Sequence, residues 1–228
     1  MKKFASIILS GLIILSGCGL SKTASGSLIG SGAGAAVGAG LGYLIGKDGK
    51  GAAIGAAIGT AIGGGTGAVI GNKMDKKAEE LAALENAKVE TVEDANGLTA
   101  IRVTFDSGIL FPKNGTTLST SAQKELTKFA SEMSDMTDTD ITIFGHTDNT
   151  GTREVNDRIS LQRAQSVAKL LNQKGIAESR MRVEGHAYDE PVASNETAEG
   201  RAQNRRVEIY ISANENMIKA AEAEAAKN

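Results

Sequence analysis

The residues best suited to chemistry are a carboxylate and a guanidinium, Asp148 and Arg163, which lie fifteen positions apart in the sequence. Asp148 belongs to a polar run that follows an apolar strand pattern, and Arg163 lies in the helix pattern that comes next. Side chains lean toward the start of their helix, so Arg163 is expected to project back toward the Asp148 loop. Such a pair can hold a small zwitterion, because the carboxylate binds an ammonium group and the guanidinium makes a forked contact to a carboxylate.

Asn156 extends this candidate site, since it lies two helical turns before Arg163 on the same helix face. Two plainer roles stay open for the charged pair. Asp148 and Arg163 could form a structural salt bridge, or Asp148 could cap the helix that follows it. The sequence contains no Cys/His nucleophile set and no motif that suggests two carboxylates placed for acid–base work. An enzyme is therefore disfavoured.

Over about residues 98–212 the chain resembles the OmpA-like peptidoglycan-binding domain family. The resemblance rests on four short elements that keep the family's order: Thr147-Asp148, Asn156, Arg163-Ala164 and Asn204-Arg205-Arg206-Val207-Glu208-Ile209. It implies that Asp148 and Arg163 are the principal ligand-binding pair, with Asn156 and Thr147 beside them. It also implies the ligand, which is the zwitterionic end of meso-diaminopimelate in the peptidoglycan stem peptide.

The chain departs from the family in the loop after the first predicted strand. Many members have a Phe followed by an Asp that borders the ligand groove, whereas Phe111 is followed by Pro112. An earlier pair, Phe105-Asp106, comes six residues too soon for the usual spacing. Any contact from this loop is therefore expected from the backbone of residues 111–116.

Apolar periodicity predicts an α+β fold for residues 98–213. Four strands are indicated by residues that alternate in the sequence: Ile101, Val103 and Phe105; Ile141 and Ile143; Met181 and Val183; Val207, Ile209 and Ile211. The helices between them are expected to begin at Ser119 or Thr120, to run from Arg153 to Gln173, and to cover 197–204. The order is that of the family, a β-α-β-α-β-(α)-β sandwich of helices on a four-stranded sheet.

The remaining polar residues of the domain are assigned structural roles. His146 and His186 each follow a glycine at a predicted strand end, and neither has the spaced Cys, Asp or Glu set of a metal site. No metal and no cofactor is expected. A basic cluster is expected to fix the last strand through hydrogen bonds, with a contact to glycan or to a ligand carboxylate as the open alternative. The cluster consists of Arg201, Asn204, Arg205 and Arg206.

Residues 1–17 have the pattern of a removable export signal, with Lys2 and Lys3 before a short apolar centre. The signal closes on Leu15-Ser16-Gly17-Cys18, which resembles a bacterial lipobox, and Cys18 is the only cysteine. Residues 18–25 are thus predicted to be an acylated tether that anchors the chain in lipid. Gly19 rather than Asp favours the outer membrane by resemblance to lipoprotein sorting in enteric bacteria. The wall-binding domain would then lie in the periplasm.

Residues 26–71 hold 17 of the 28 glycines, and many recur at every fourth position. The spacing forms two 21-residue units separated by a charged turn, 47–50, and predicts a glycine-zipper helical hairpin. Because glycine costs an isolated helix about 1 kcal/mol relative to alanine, close contact along the glycine faces must compensate. Insertion in the outer membrane, with homo-oligomer formation through these faces, and a packed hairpin in the periplasm are both open.

Residues 72–97 are predicted to form a charged helical linker that acts as a spacer, and 214–228 a tail that is either a short solvated helix or disordered. Removal of the signal leaves 23 basic and 27 acidic residues, a net charge of −4, which excludes a strongly basic face for nucleic acid. The expected function is an outer-membrane lipoprotein that binds peptidoglycan non-covalently. The alternative is a glycine-zipper membrane assembly that uses the wall-binding domain as an address.

Overall fold

The computed structural model describes residues 65–94, 96–112 and 114–227. The predicted signal peptide, Cys18 with its tether, and most of the glycine hairpin lie outside these residues. Among the described residues, no helix combines the length and the apolar character that crossing a bilayer requires.

The elements follow one another as a mixture of helices and strands, which confirms the α+β prediction. The helices are α1 (Gly65–Leu81), α2 (Ser107–Leu110), α3 (Thr120–Glu132), α4 (Arg153–Gln173), α5 (Ala198–Asn204) and α6 (Glu215–Ala225), with a 3-10 turn at Glu178–Arg180. The strands are β1 (Ala87–Glu93), β2 (Thr99–Asp106), β3 (Thr139–Gly145), β4 (Met181–Gly185) and β5 (Arg206–Ala213).

The strands form one sheet in the order β1-β2-β5-β3-β4. Its neighbours are antiparallel except β3 and β4, which run parallel and are connected through α4. The main core lies on one face of this sheet, where Ile143 and Ile209 pack with apolar residues of α1, α3, α4 and α6. Phe144 and Tyr210 form a second, smaller cluster, as the alternation of strand side chains requires.

The fifth strand corrects the prediction of a four-stranded sheet and of a continuous helical linker over 72–97. Helix α1 ends at Leu81, and β1 then pairs with β2 along its whole length. The charged residues of β1 made this segment resemble a solvated helix. They suit an edge strand instead, because charge discourages pairing with another chain, and Glu90 forms a cross-strand salt bridge to Arg102 at 2.7 Å.

Helices α1 and α6 pack together, which corrects two expectations, a spacer and a solvated tail. The tail does form a helix, but Met217, Ile218 and Ala221 are buried in the main core. The sequence did not indicate that these three residues are buried, because the residues around them are mostly Ala and Glu. On α1, Met74 is fully buried and belongs to the same core. Helix α1 is therefore part of the domain and does not act as a spacer.

Candidate functional site

Helix α4 is held against the ends of β3 and β4 because both strands finish on a glycine. A Cβ at Gly145 would overlap the carbonyl oxygen of Ser160, and a Cβ at Gly185 would lie 2.5 Å from the amide nitrogen of Leu161. Thr152 begins the helix, since its side chain accepts from the amide of Val155. The close approach fixes where α4 presents its polar face next to the loop that leaves β3.

Asp148 lies in that loop and is buried, with 5% of its surface exposed. Its Oδ1 accepts from the backbone amide of Thr150 at 2.9 Å and from the Thr150 hydroxyl. Its Oδ2 accepts from Arg205 Nη1 at 2.6 Å. Burial alone would raise the pKa of Asp148, but the hydrogen bonds from Thr150 and Arg205 outweigh it and hold the pKa below its ordinary value. The carboxylate is thus ionised at neutral pH.

Arg163 reaches the same region from α4 and is also buried. Its Nε donates to the carbonyl oxygen of Gly115 at 3.1 Å, and its guanidinium lies 5.3 Å from the Phe111 ring centroid. Within the described residues this is its only hydrogen bond, so Nη1 and Nη2 are available to a ligand. Burial and the charge of Arg205 lower the pKa of Arg163, and the charge of Asp148 raises it. The Asp148 and Arg163 charges therefore act on each other although no hydrogen bond joins them.

Arg205 is part of the candidate site, although the sequence did not predict its contact with Asp148. The sequence pattern placed it in the basic cluster that fixes the last strand, yet it pairs with Asp148, and its side chain is 40% exposed. The other members have structural roles, but of these only Arg206 makes a side-chain bond within the last strand. Asn204 bonds the 192–195 loop, Arg201 donates to the carbonyl oxygen of Asn195, and Arg206 pairs with Glu208 at 2.6 Å. The site therefore contains two guanidiniums and one carboxylate.

Asn156 and Thr147, the other two predicted residues, support the loop. The Asn156 side chain is buried and its Nδ2 donates to the carbonyl oxygen of Thr150 at 3.0 Å. This bond connects α4 to the residue that binds Asp148. The Thr147 amide donates to the carbonyl oxygen of Ala187 at 2.7 Å, while its buried hydroxyl has no partner among the described residues. Both residues thus position Asp148.

The loop that follows Phe111 borders the site through its backbone. The carbonyl oxygen of Gly115 accepts from Arg163, and that of Thr116 accepts from Ser166 Oγ at 2.6 Å. Asp106, the carboxylate of the early pair, caps α2 through the amide of Gly108. A cleft of about 690 Å³ lies beside this loop and shares Phe111 with the site, but Asp148 and Arg163 do not line it. We place the candidate site at Asp148 and Arg163, because the lining of the cleft contains no charged side chain that could select a zwitterion.

The two histidines lie closer together than their sequence positions suggested. His146, His186 and Glu190 each place one nitrogen or oxygen within 4.8 Å of the others. No metal-ligand spacing is visible in the sequence, because the three residues come from the ends of two different strands. Burial and the charge of Arg206 lower the pKa of His146 to about 3, so its imidazole is neutral.

Comparison with known proteins identifies the family. The OmpA family model matches residues 110–205, and the YMGG-like Gly-zipper model matches residues 1–75. The probable lipoprotein YiaD of Escherichia coli (strain K12) is 38% identical over 219 residues, which cover 90% of this chain and 94% of that protein. The peptidoglycan-binding protein ArfA of Mycobacterium bovis is 38% identical over 113 residues, 50% of this chain and 35% of that protein.

A solved structure supports the same assignment. The cell wall anchor of the T6SS from Pseudomonas aeruginosa superposes with a TM-score of 0.52 at 30% identity, covering 61% of this chain and 96% of that one. The resemblance seen in the sequence motifs is confirmed. The chain belongs to the OmpA family and carries a YMGG-like glycine zipper ahead of its OmpA domain.

Proposed function

We propose that this protein binds peptidoglycan without covalent chemistry and links the outer membrane to the cell wall. The observation that carries the proposal is the ionised Asp148 carboxylate, which is buried beside the guanidiniums of Arg205 and Arg163. Among the described residues, Nη1 and Nη2 of Arg163 make no hydrogen bond and are available to a ligand. A relative named for peptidoglycan and a solved structure named as a cell wall anchor support it. Neither name describes bond cleavage, and the proposed role is binding only.

The ligand we propose is the free zwitterionic end of diaminopimelate in the stem peptide. A carboxylate has about four acceptor positions, and Thr150 fills two on Oδ1 while Arg205 fills one on Oδ2. The remaining position on Oδ2 can accept from the ligand ammonium. Arg163 then binds the ligand carboxylate through Nη1 and Nη2, a two-pronged contact that a lysine cannot make.

The anchor completes the link. Cys18, with acyl chains, would hold the amino terminus in the outer membrane, while the OmpA domain binds wall on the periplasmic side. Single contacts to stem peptides can be weak, because many copies on one mesh add their effects. The close relation to a probable lipoprotein over nearly the whole chain supports this arrangement.

Binding to purified sacculi tests the proposal. Full-length wild type should sediment with sacculi that contain diaminopimelate, whereas Asp148→Asn and Arg163→Gln should lose about 90% or more of this retention, as expected from loss of a charged contact worth about 1.5–3 kcal/mol. Arg158→Gln is the matched control, because Arg158 is exposed on the same helix. Retention of both site variants at the wild-type level would refute the site assignment.

A free stem peptide tests the ligand itself. Amidation of the distal carboxylate should weaken binding to wild type, since Arg163 would lose its charged partner. The amidated peptide should bind Arg163→Gln no more weakly than the unmodified peptide does. Equal binding of both peptides to wild type would contradict the assigned role of Arg163.

A second function, a homo-oligomeric assembly through the glycine faces, is supported by the zipper match over residues 1–75. Crosslinking of the mature protein in native membranes distinguishes it from a monomeric tether. A ladder of oligomers that disappears when the grid glycines are replaced by leucine would support assembly. Monomers alone would count against it.

A further inference from the structure

Two imidazoles and a carboxylate converge at the end of the parallel strand pair. β3 and β4 are in register up to Gly145 and Gly185, so the next residues, His146 and His186, emerge side by side. Glu190 follows in the loop after β4, and its backbone oxygen accepts from Arg206 Nη2 at 3.1 Å. The three potential ligand atoms lie within 4.8 Å of one another. The fold thus brings together a donor set with two nitrogens and one oxygen.

No residue in the described part of the chain explains the burial of the His146 ring nitrogens. Its side chain is 1% exposed, and neither ring nitrogen has a hydrogen-bond partner among the described residues. The nearest carboxylate oxygen, Glu208 Oε2, is 4.0 Å from Nε2. A buried polar group without a partner is uncommon in proteins and calls for an explanation. Bonding of one nitrogen to an ion supplies that explanation.

His186 has the bonding pattern of a metal ligand with an outer carboxylate. Its Nε2 lies 3.3 Å from Glu184 Oε2, and its Nδ1 lies 3.2 Å from Glu190 Oε1. Donation from Nε2 to Glu184 leaves a lone pair on Nδ1 that faces the Glu190 carboxylate. Two electron-rich atoms at that distance need a positive centre between them, either a proton or a metal ion. Carboxylate partners of this kind commonly orient metal-binding histidines.

The surrounding charges can accept a divalent ion. The charge of Arg206 acts on His146, but Glu208 pairs with Arg206 at 2.6 Å. Glu184 faces both His186 and, at 3.9 Å, Arg182. Glu190 carries its charge into the cluster, and its side chain is 43% exposed. This exposed carboxylate gives an ion a route from solvent to the buried imidazoles.

We propose that His146, His186 and Glu190 bind one divalent transition-metal ion of the zinc class, with water as the fourth ligand. Imidazole and carboxylate donors together suit zinc and its neighbours. Bonds of about 2.0–2.2 Å place tetrahedral ligand atoms about 3.4 Å apart. The atoms that now lie up to 4.8 Å apart must therefore approach by up to about 1.4 Å, a movement that the loop carrying Glu190 can provide. The bound ion fixes the loop that contacts Thr147 through Ala187.

Metal titration of the full-length protein in detergent tests this proposal without using wall binding. After treatment with a chelator, the protein should bind one Zn²⁺ per chain in competition with a chromogenic chelator. Co²⁺ in the same site should show the intense visible absorption of a four-coordinate ion. Wall retention is measured separately, so failure of either proposal leaves the other intact.

Variants identify the ligands. Glu190→Gln, at an exposed position, and His186→Phe, which keeps an aromatic ring against Phe144, should each weaken Zn²⁺ binding by about 100-fold or more. Glu184→Gln should weaken it by about tenfold, as expected for an outer partner. Glu178→Gln is the matched control, because this exposed carboxylate precedes β4 at its opposite end. Absence of saturable binding, or wild-type affinity in both Glu190→Gln and His186→Phe, would overturn the proposal.

Discussion

Arg205 Nη1 donates to Asp148 Oδ2 at 2.6 Å and so connects the residue before β5 to the loop after β3. The pair is 57 positions apart in the chain. The same guanidinium repels the charge of Arg163 and lowers the pKa of that residue. Arg205 therefore acts on both members of the proposed ligand pair, and it keeps Asp148 ionised in the absence of a ligand.

Removal of Arg205 should change the pH range of wall binding. Asp148 must be ionised to accept an ammonium group, so binding is present above its pKa and is lost as the pH falls through it. Arg205→Gln removes one of the hydrogen bonds that lower the pKa of Asp148, so this pKa should rise in the variant. Retention on sacculi, measured from neutral pH downward, should be lost at a higher pH in the variant.

The control for this experiment is Arg158→Gln, which removes a positive charge from the exposed face of α4. Its pH profile should superimpose on that of the wild type. Identical profiles for wild type and Arg205→Gln would show that Arg205 does not control the ionisation of Asp148.

The folding stability of the metal-free protein should fall on acidification partly because of His146. Burial and Arg206 lower its folded-state pKa to about 3, against about 6.5 in an unfolded chain. Between these values the unfolded state binds the extra proton, so stability decreases as the pH falls from 6.5, by at most about 1.4 kcal/mol per pH unit. His146→Phe should remove this part of the slope in denaturant unfolding measured with a chelator present.

His186 supplies a comparison of opposite sign. Burial alone would lower its pKa, but the carboxylates of Glu190 and Glu184 outweigh it and raise the pKa above the ordinary value. Its contribution is therefore present below the unfolded-state pKa and is lost as the pH rises through the folded-state pKa. His186→Phe should therefore remove a stability change at pH values above about 6.5, and it should leave the slope below that pH unchanged. Equal slopes in both variants would contradict the assignment.

The sequence predicted a helix or strand correctly where the pattern lay within the residues of that element itself. Alternation at Val207, Ile209 and Ile211 correctly indicated β5, and Ser119 correctly indicated the start of α3, where it caps the helix through the amide of Ala122. Strand β1 was missed because its register comes from pairing with β2, while its own residues are charged. The charged residues of this segment were therefore predicted to continue the helical linker over 72–97.

In the candidate site, too, the sequence predicted some features and missed others. The positions of Asp148 and Arg163 followed from family motifs, but their hydrogen-bond partners did not. Arg205 and Gly115 contact them from distant parts of the chain, and only the folded sheet brings these parts together. The proximity of His146 to His186 depends in the same way on the parallel pairing of β3 and β4.

The glycine at the end of β3 should be required for the position of α4. Gly145→Ala places a methyl group on the backbone oxygen of Ser160, and overpacking of this kind typically costs about 1–3 kcal/mol. The free energy of unfolding should fall by that amount, and wall retention should fall with it. Gly71→Ala is the control, because its Cβ would meet only Thr99 Oγ1 at 3.4 Å and lies in a helix that alanine favours. Equal stabilities for the two variants would show that α4 can move without cost.

Packing of α6 on α1 should determine how firmly the segment before the OmpA domain is joined to that domain. Met217 is 2% exposed in the core that also contains Met74, and truncation of such a side chain to alanine costs about 2–5 kcal/mol. Met217→Ala should therefore lower the unfolding free energy, whereas the exposed Glu222→Ala should leave it nearly unchanged. Limited proteolysis near residues 82–86, between α1 and β1, should also become faster in Met217→Ala. Since the second glycine run ends inside α1, tension along the proposed link between membrane and wall would pass through this packed helix pair. Wild-type protease resistance in Met217→Ala would show that α6 does not hold α1 in place.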